Sequence, residues 1–333
     1  MNDAADLLRS ALAPEMEALM LKVEREGGPQ LDPTMLPAPQ GRALSEQGNR
    51  RWNRNFPAMA RVVDILVPAD QSLGSANCRM KVLVPPDAGA GAILFVHGGG
   101  FAFCSPDSHE RCARVLAIES GLPVLLPDYR LAPEHPFPAG LLDVVGCLRA
   151  AFRATKALEV SPGSLLVAGD SAGANLALAT LLHEQEKGRS PASGALLFYG
   201  VYDANFDTQS YRHFADGPGL TRGKMQRYWN WYAGESARRD NPLMAPFRAS
   251  DAALQKLPPL YLMAAGIDPL LSDSLNFAAR LKSLDRPEKV VVVPGVVHGF
   301  LQMSNELPAA RQALARAGSA ARAMATTRTD EPF

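Results

Sequence analysis

The stretch Leu165-Leu166-Val167-Ala168-Gly169-Asp170-Ser171-Ala172-Gly173-Ala174-Asn175-Leu176-Ala177 decides how this chain is read. An apolar run suited to a strand enters Gly-x-Ser-x-Gly, and a small-residue helical segment follows. A serine at the tip of a sharp strand-to-helix turn holds its hydroxyl exposed above a sheet. Small flanking residues let that turn close. Ser171 is therefore the candidate nucleophile, against the plainer reading of a structural turn serine.

Outward from this stretch, short apolar runs recur at Val62 to Val67, Arg79 to Val84, Ala92 to Val96 and Val124 to Pro127. They continue at Leu165 to Ala168, Ala195 to Phe198, Leu260 to Ala264 and Val290 to Val293. Helical patterns fall between the later ones, at Ser108 to Glu119, Leu141 to Ala154, Ala172 to Glu186 and Ser272 to Leu284, and a last one covers Pro308 to Met324. Strands alternating with helices predict an α/β fold, a mostly parallel sheet with helices on both faces. The first two runs lack an intervening helix and read as antiparallel edge strands. Before Arg61 the chain reads as a helix from Ala4 to Glu26, with Leu7, Leu8, Leu12, Leu19 and Val23 on one face. A Pro/Gly-rich stretch from Gly27 to Gly41 and a weaker helix from Ser45 to Arg54 follow. The segment from Tyr202 to Arg248 has no clear strand but many aromatics, as expected of a lid or binding element.

Composition narrows the function. Lys+Arg and Asp+Glu balance at 34 each, so the chain has no basic excess of the kind that nucleic acid or an anionic membrane would favour. No run approaches the roughly 20 apolar residues needed to span a bilayer. The N-terminus shows no basic region leading into an apolar core, so no signal peptide and a cytoplasmic location are expected. Cys78, Cys104, Cys112 and Cys147 lack metal-type spacing and read as reduced thiols.

In open sheets, function gathers at the carboxyl ends of the strands. Three further groups fall there. Ile93 to Val96 leads into His97-Gly98-Gly99-Gly100-Phe101, whose Gly98 and Gly99 amides, with that of Ala172, are candidate donors to an oxyanion. Asp268 follows the seventh run and His298 the eighth, in the chain order Ser, Asp, His. The imidazole would take the serine proton and the carboxylate would hold its tautomer. Asp273, the rival acid, lies in the first turn of a helix, where dipole stabilisation explains it. Asp170 reads as a brace and His97 as a support for the glycine loop. His109, His135 and His183 suit surface or capping roles. Phe101, Phe103, Trp229 and Trp231 are expected to shape the substrate pocket, with His213 of the aromatic segment touching substrate.

Together, His97-Gly98-Gly99-Gly100, Asp128-Tyr129-Arg130-Leu131-Ala132-Pro133-Glu134, Gly169-Asp170-Ser171-Ala172-Gly173, Asp268-Pro269-Leu270 and His298-Gly299-Phe300 resemble the hormone-sensitive lipase family of α/β-hydrolase esterases, the bacterial family IV type. The resemblance spans roughly Arg61 to Leu301. It implies an eight-stranded, mostly parallel sheet, a helical cap and no cofactor or metal. Residues 1–60 would supply one cap segment, and an insertion at about 202–248 in the catalytic domain, 61–333, the other. It further implies a serine carboxylesterase with Ser171, Asp268 and His298 as triad, a small-molecule ester of short acyl chain as substrate, and a homodimer through the last strand and helix. Two departures stand out: Cys104 where relatives often carry glycine, and Ser272 where a further acid often follows Asp-Pro-Leu. Amide, carbamate or lactone hydrolysis would use the same parts. A small-molecule receptor of the same fold is the reading from another class, but such receptors lack the histidine that His298 supplies.

Overall fold

β-branched and leucine side chains fill the eight short runs, and each run becomes one strand of a single sheet. The computed structural model describes residues 11–27, 31–157, 161, 163–234 and 239–326. Its strands are β1 (Arg61–Val67), β2 (Cys78–Val84), β3 (Ala92–Val96), β4 (Val124–Pro127), β5 (Leu165–Asp170), β6 (Gly194–Phe198), β7 (Leu260–Ile267) and β8 (Val290–Val297). They lie in the order β1-β2-β4-β3-β5-β6-β7-β8. β2 runs antiparallel to both β1 and β4, and every pair from β4 to β8 is parallel. Of the two antiparallel strands expected at the edge, only β1 lies there; β8 forms the opposite edge. β2, expected at the edge, lies one place in and is buried along nearly all its length, whereas β1 keeps an exposed face.

β3, β5 and β6 are buried at every residue, which is why they read as continuous apolar runs with no polar alternation. Helices α1 (Pro14–Gly27) and α2 (Ala38–Asn49) precede the sheet. Helices α3 (Glu110–Ser120), α4 (Ala139–Ala157) and α5 (Ala172–Glu186) connect its first parallel strands. Between β6 and β7 lie α6 (Gln209–His213), α7 (Arg222–Ala233) and α8 (Asp251–Gln255), and α9 (Leu271–Ser283) and α10 (Pro308–Thr326) complete the chain. One core, beneath α4, α5 and α9, gathers Val82, Leu94, Val167, Leu178 and Phe277. The other, beneath α3 and α10, gathers Ile93, Leu116, Leu166, Phe198 and Leu314. α5 is buried from Ala172 to Glu184, so its helix is apolar all round.

The N-terminal elements shift from their sequence bounds. The first described helix begins at Pro14; residues 1–10, with Leu7 and Leu8, lie outside the described residues. Met16 and Leu19 bury its apolar face in the second core, as its periodicity predicts. The next helix is α2, beginning at Ala38 inside the stretch read as coil. Pro39 fits there because a first-turn N–H has no intrahelical partner to lose.

The charged turn after β4 ties the layers together. Arg79 Nε donates to Asp128 at 3.2 Å, and Arg42 of α2 pairs with Glu134 and donates to the Ala102 carbonyl at 2.7 Å. Asp143 of α4, almost wholly buried, accepts from the Ala76 N–H at 2.8 Å, the Arg130 N–H at 3.0 Å and the Arg130 guanidinium at 2.8 Å. Removing one member of such a buried pair strands the others. Asp143→Ala is expected to lower the unfolding free energy by about 3 kcal/mol. An unchanged denaturation midpoint would contradict this account.

Candidate active site

The chain enters the site where β5 stops. Ser171 sits at φ 55, ψ −121, a strained conformation between strand and helix that turns its side chain out over the sheet edge. The turn is packed backbone against backbone: a Cβ on Gly173 would lie 2.0 Å from the Val96 carbonyl oxygen and 2.6 Å from that of His97. No larger residue fits between β3 and the start of α5.

Two other strand ends bring partners to this hydroxyl. His298, one residue past β8, places Nε2 2.9 Å from Ser171 Oγ. Its Nδ1 lies 2.7 Å from Oδ2 of Asp268, one residue past β7 and fully buried. The other carboxylate oxygen accepts the Leu270 N–H at 2.9 Å. With Asp268 accepting, the imidazole proton sits on Nδ1 and leaves Nε2 to accept from the serine. The edge of the Tyr199 ring packs against His298 at 4.9 Å between centroids and holds its plane. Asp273 plays a different part. It accepts the Tyr202 and Asp203 N–H groups at 2.9 and 3.3 Å, and burial pushes its carboxyl well above the usual range.

The glycine loop differs from expectation in one donor. The Gly98 N–H is spent on Asp170 Oδ1 at 2.8 Å, so it cannot serve an oxyanion. Gly99 and Gly100 border the cavity beside Ser171 and His298. Among the described residues no acceptor takes the N–H of Gly99, Gly100 or Ala172. Spacing alone could not say which amides of the triplet point inward. His97 supports the loop from below: its Nδ1 bonds the Gly98 carbonyl at 2.8 Å, and the Tyr129 hydroxyl donates to the His97 carbonyl at 2.8 Å. Burial, aided by the neighbouring His109, pushes the His97 imidazole down to about 3, so it stays neutral.

The space above Ser171 is a cavity of about 260 Å³. Its walls come from Asn49 and Trp52 in the N-terminal segment, and from Leu220, Met225 and Tyr228 in the 202–248 insertion. None of the aromatic residues expected to shape it does so. Phe101 is buried and stacks on Tyr232 at 3.8 Å, with Trp229 edge-on at 5.9 Å. Phe103 meets Tyr228 and Trp231 at 5.7 and 5.8 Å, fastening α7 to the loop. His213 is exposed. Tyr228 borders the cavity, and the next residue, Trp229, lies about 100° further round α7, toward the core.

Other side chains depart from expectation too. His109 is buried, not superficial, and although it stands at the N-cap of α3 it makes no capping bond; its Nε2 lies 3.2 Å from Asp170 Oδ1. His183 is likewise buried, bonded to Glu184 at 3.1 Å, and His135 is exposed. Cys104 lies on the cavity wall at φ 69, a left-handed conformation that favours glycine. Burial pushes its thiol up to about 12, and all four cysteines are free. Ser272 exchanges hydrogen bonds with Ser210, 3.0 and 3.1 Å, joining α9 to α6.

This geometry meets an independent finding: residues 93–302 match a family model described as the alpha/beta hydrolase fold. The chain belongs to the α/β-hydrolases. Its motifs and its relatives place it with the hormone-sensitive lipase type, bacterial family IV. This α/β-hydrolase is 32% identical over 257 residues to Esterase LipI of Mycobacterium tuberculosis, covering 77% of the chain and 80% of that relative. Among solved structures it resembles a thermostable esterase from Pseudomonas putida, with TM-score 0.87 and 25% identity over 96% of this chain and 99% of that one. It also resembles a hyperthermophilic esterase from Pyrobaculum calidifontis, with TM-score 0.85 and 29% identity over 95% and 100%. No described helix is long and apolar enough to cross a membrane.

The glycine loop of this hydrolase yields a test of its packing. At Gly99, φ is +116 and a Cβ would meet the Phe103 carbonyl oxygen at 2.2 Å. Gly99→Ala is expected to cost about 2 kcal/mol of stability. Thermal denaturation of the variant checks this, and a midpoint equal to that of the parent protein would refute it.

Proposed function

We propose that this α/β-hydrolase is a serine carboxylesterase that cleaves short-chain acyl esters through an acyl-enzyme intermediate, with Ser171, His298 and Asp268 as its triad. The observation carrying the reading is the 2.9 Å approach of His298 Nε2 to Ser171 Oγ. In the first half-reaction Oγ attacks the ester carbonyl carbon and its proton passes to Nε2. The carbonyl oxygen becomes an oxyanion held by the amides of Gly99, Gly100 and Ala172, at the positive N-terminal end of α5. The tetrahedral adduct collapses, the alkoxide leaves with the proton from Nε2, and the acyl group stays on Ser171. Water then attacks, gives its proton to the same nitrogen, and the acid departs as that proton returns to Oγ.

Asp268 steadies the imidazole while it carries the extra charge. The relatives named esterase support the reaction class, and the cavity volume of about 260 Å³ suits a small acyl group better than a long chain. The reading of 1–60 and 202–248 as a cap on a catalytic domain, 61–333, is supported by Asn49, Trp52, Leu220, Met225 and Tyr228, which contribute walls above Ser171. Among the described residues β8 pairs only with β7, which leaves its outer edge for a second copy in a homodimer. A cytoplasmic setting completes the proposal.

Ser171→Ala is expected to abolish hydrolysis of p-nitrophenyl acetate and butyrate while the fold survives; parent-like turnover would remove the nucleophile. His298→Ala is expected to reduce kcat about 10⁴-fold. A merely tenfold loss would assign the base elsewhere. An acyl series from acetate to dodecanoate should show kcat/KM falling for the long chains, and a rising series would exclude the short-chain reading.

A further inference from the structure

Asp170 precedes the nucleophile, lies almost wholly buried, and borders the same cavity as Ser171. A carboxylate there is hazardous to an esterase, because free negative charge beside a developing oxyanion raises the barrier. Its oxygens are occupied. Oδ1 accepts from the Gly98 N–H at 2.8 Å and has His109 Nε2 at 3.2 Å, while the Tyr199 hydroxyl approaches Oδ2 at 3.4 Å. Burial alone would lift this carboxyl. The nearby His109, its hydrogen bond and the Gly98 N–H together hold it below the usual carboxylate range.

His109 is fixed on its other side. Its Nδ1 lies 3.0 Å from Ser108 Oγ, which itself bonds the Ser105 carbonyl at 2.8 Å and N–H at 2.9 Å. The ring is 3% exposed and lies 5.5 Å from that of His97. A second histidine–aspartate pair therefore stands beside the triad, its far ring nitrogen on a Ser108 hydroxyl whose proton goes to the Ser105 carbonyl. Its carboxylate instead grips the first amide of the glycine loop.

We infer that His109 is a positioning residue: by donating to Asp170 it fixes the carboxylate that anchors Gly98, and so aims the next two amides at the carbonyl oxygen. This rests on the oxyanion role given to Gly99 and Gly100 above. Any loss of aim falls on the transition state, whose oxygen carries charge, and hardly on the bound ester.

The test compares three variants of the full chain on p-nitrophenyl butyrate and against a trifluoromethyl ketone, to which Ser171 Oγ adds to form an oxyanion hemiketal. His109→Leu removes the donor and should cut kcat about 100-fold with KM within about twofold, while the ketone Ki rises in parallel with the loss in kcat. His109→Gln places an amide N–H near the original Nε2 and should recover kcat to within about fivefold of the parent; His109→Asn, whose amide matches Nδ1 and falls short of Asp170, should not. The Gln and Asn pair carries the test if the Leu variant fails to fold. Equal kcat for Gln and Asn, or a stable Leu variant with parent-like kcat, overturns the inference. If Ser171→Ala keeps turnover or the ketone leaves the parent protein uninhibited, the triad reading fails first, which is a separate result.

Discussion

The active site depends on one close approach, that of the backbone at Gly173 to the carbonyls of Val96 and His97. It brings the start of α5 against the end of β3, so the nucleophile turn and the glycine loop become a single packed unit. Without it Ser171 would have no fixed relation to the amides of Gly99 and Gly100. The strain at Ser171, φ 55, persists because the turn cannot relax without opening that contact. The same turn makes Ala172 the first residue of α5, so one backbone bend places the Ser171 hydroxyl, a free amide and a helix end together.

The parallel sheet does the remaining placement. β5, β7 and β8 all end at the same edge, and each delivers one reactive side chain within a residue of its end. Loops that short leave little freedom for a misplaced imidazole. The fully buried cores on both faces keep the strands in register, so the rigidity of the site is inherited from leucine and valine packing far from the chemistry.

Much of this was legible in the sequence for physical reasons. The turn at Ser171 demands small neighbours, and the carboxyl-end rule then placed Asp268 and His298 beside it. What escaped were facts of direction. Three glycines in a row do not reveal that Gly98 faces Asp170 while the next two face the cavity. Aromatic density in α7 marked a packed helix, but a residue step of about 100° separates Tyr228 on the cavity wall from Trp229 in the core. His109 looked superficial because the first position before a helix is commonly solvated, and nothing nearby in sequence announces its partner, 61 residues on. Pro39 in α2 misled in the opposite sense, reading as coil where it is a tolerated first-turn residue.

Under the proposed function, these two kinds of position separate the chemistry from the selectivity. Ser171, Asp268, His298 and the glycine amides are set by backbone turns and strand ends, which admit few alternatives. Asn49, Trp52, Leu220, Met225 and Tyr228 stand on α1-to-β1 and β6-to-β7 segments that lie outside the sheet and line the cavity. A change of face or length there alters the walls without moving the reacting atoms. The left-handed Cys104 lies at the border, a cavity-lining side chain in a backbone conformation that usually calls for glycine. Its side chain occupies space that glycine would leave open beside Gly99 and Gly100, so under the proposed reaction the cavity wall at Cys104 stands closer to the ester carbonyl than the cap does.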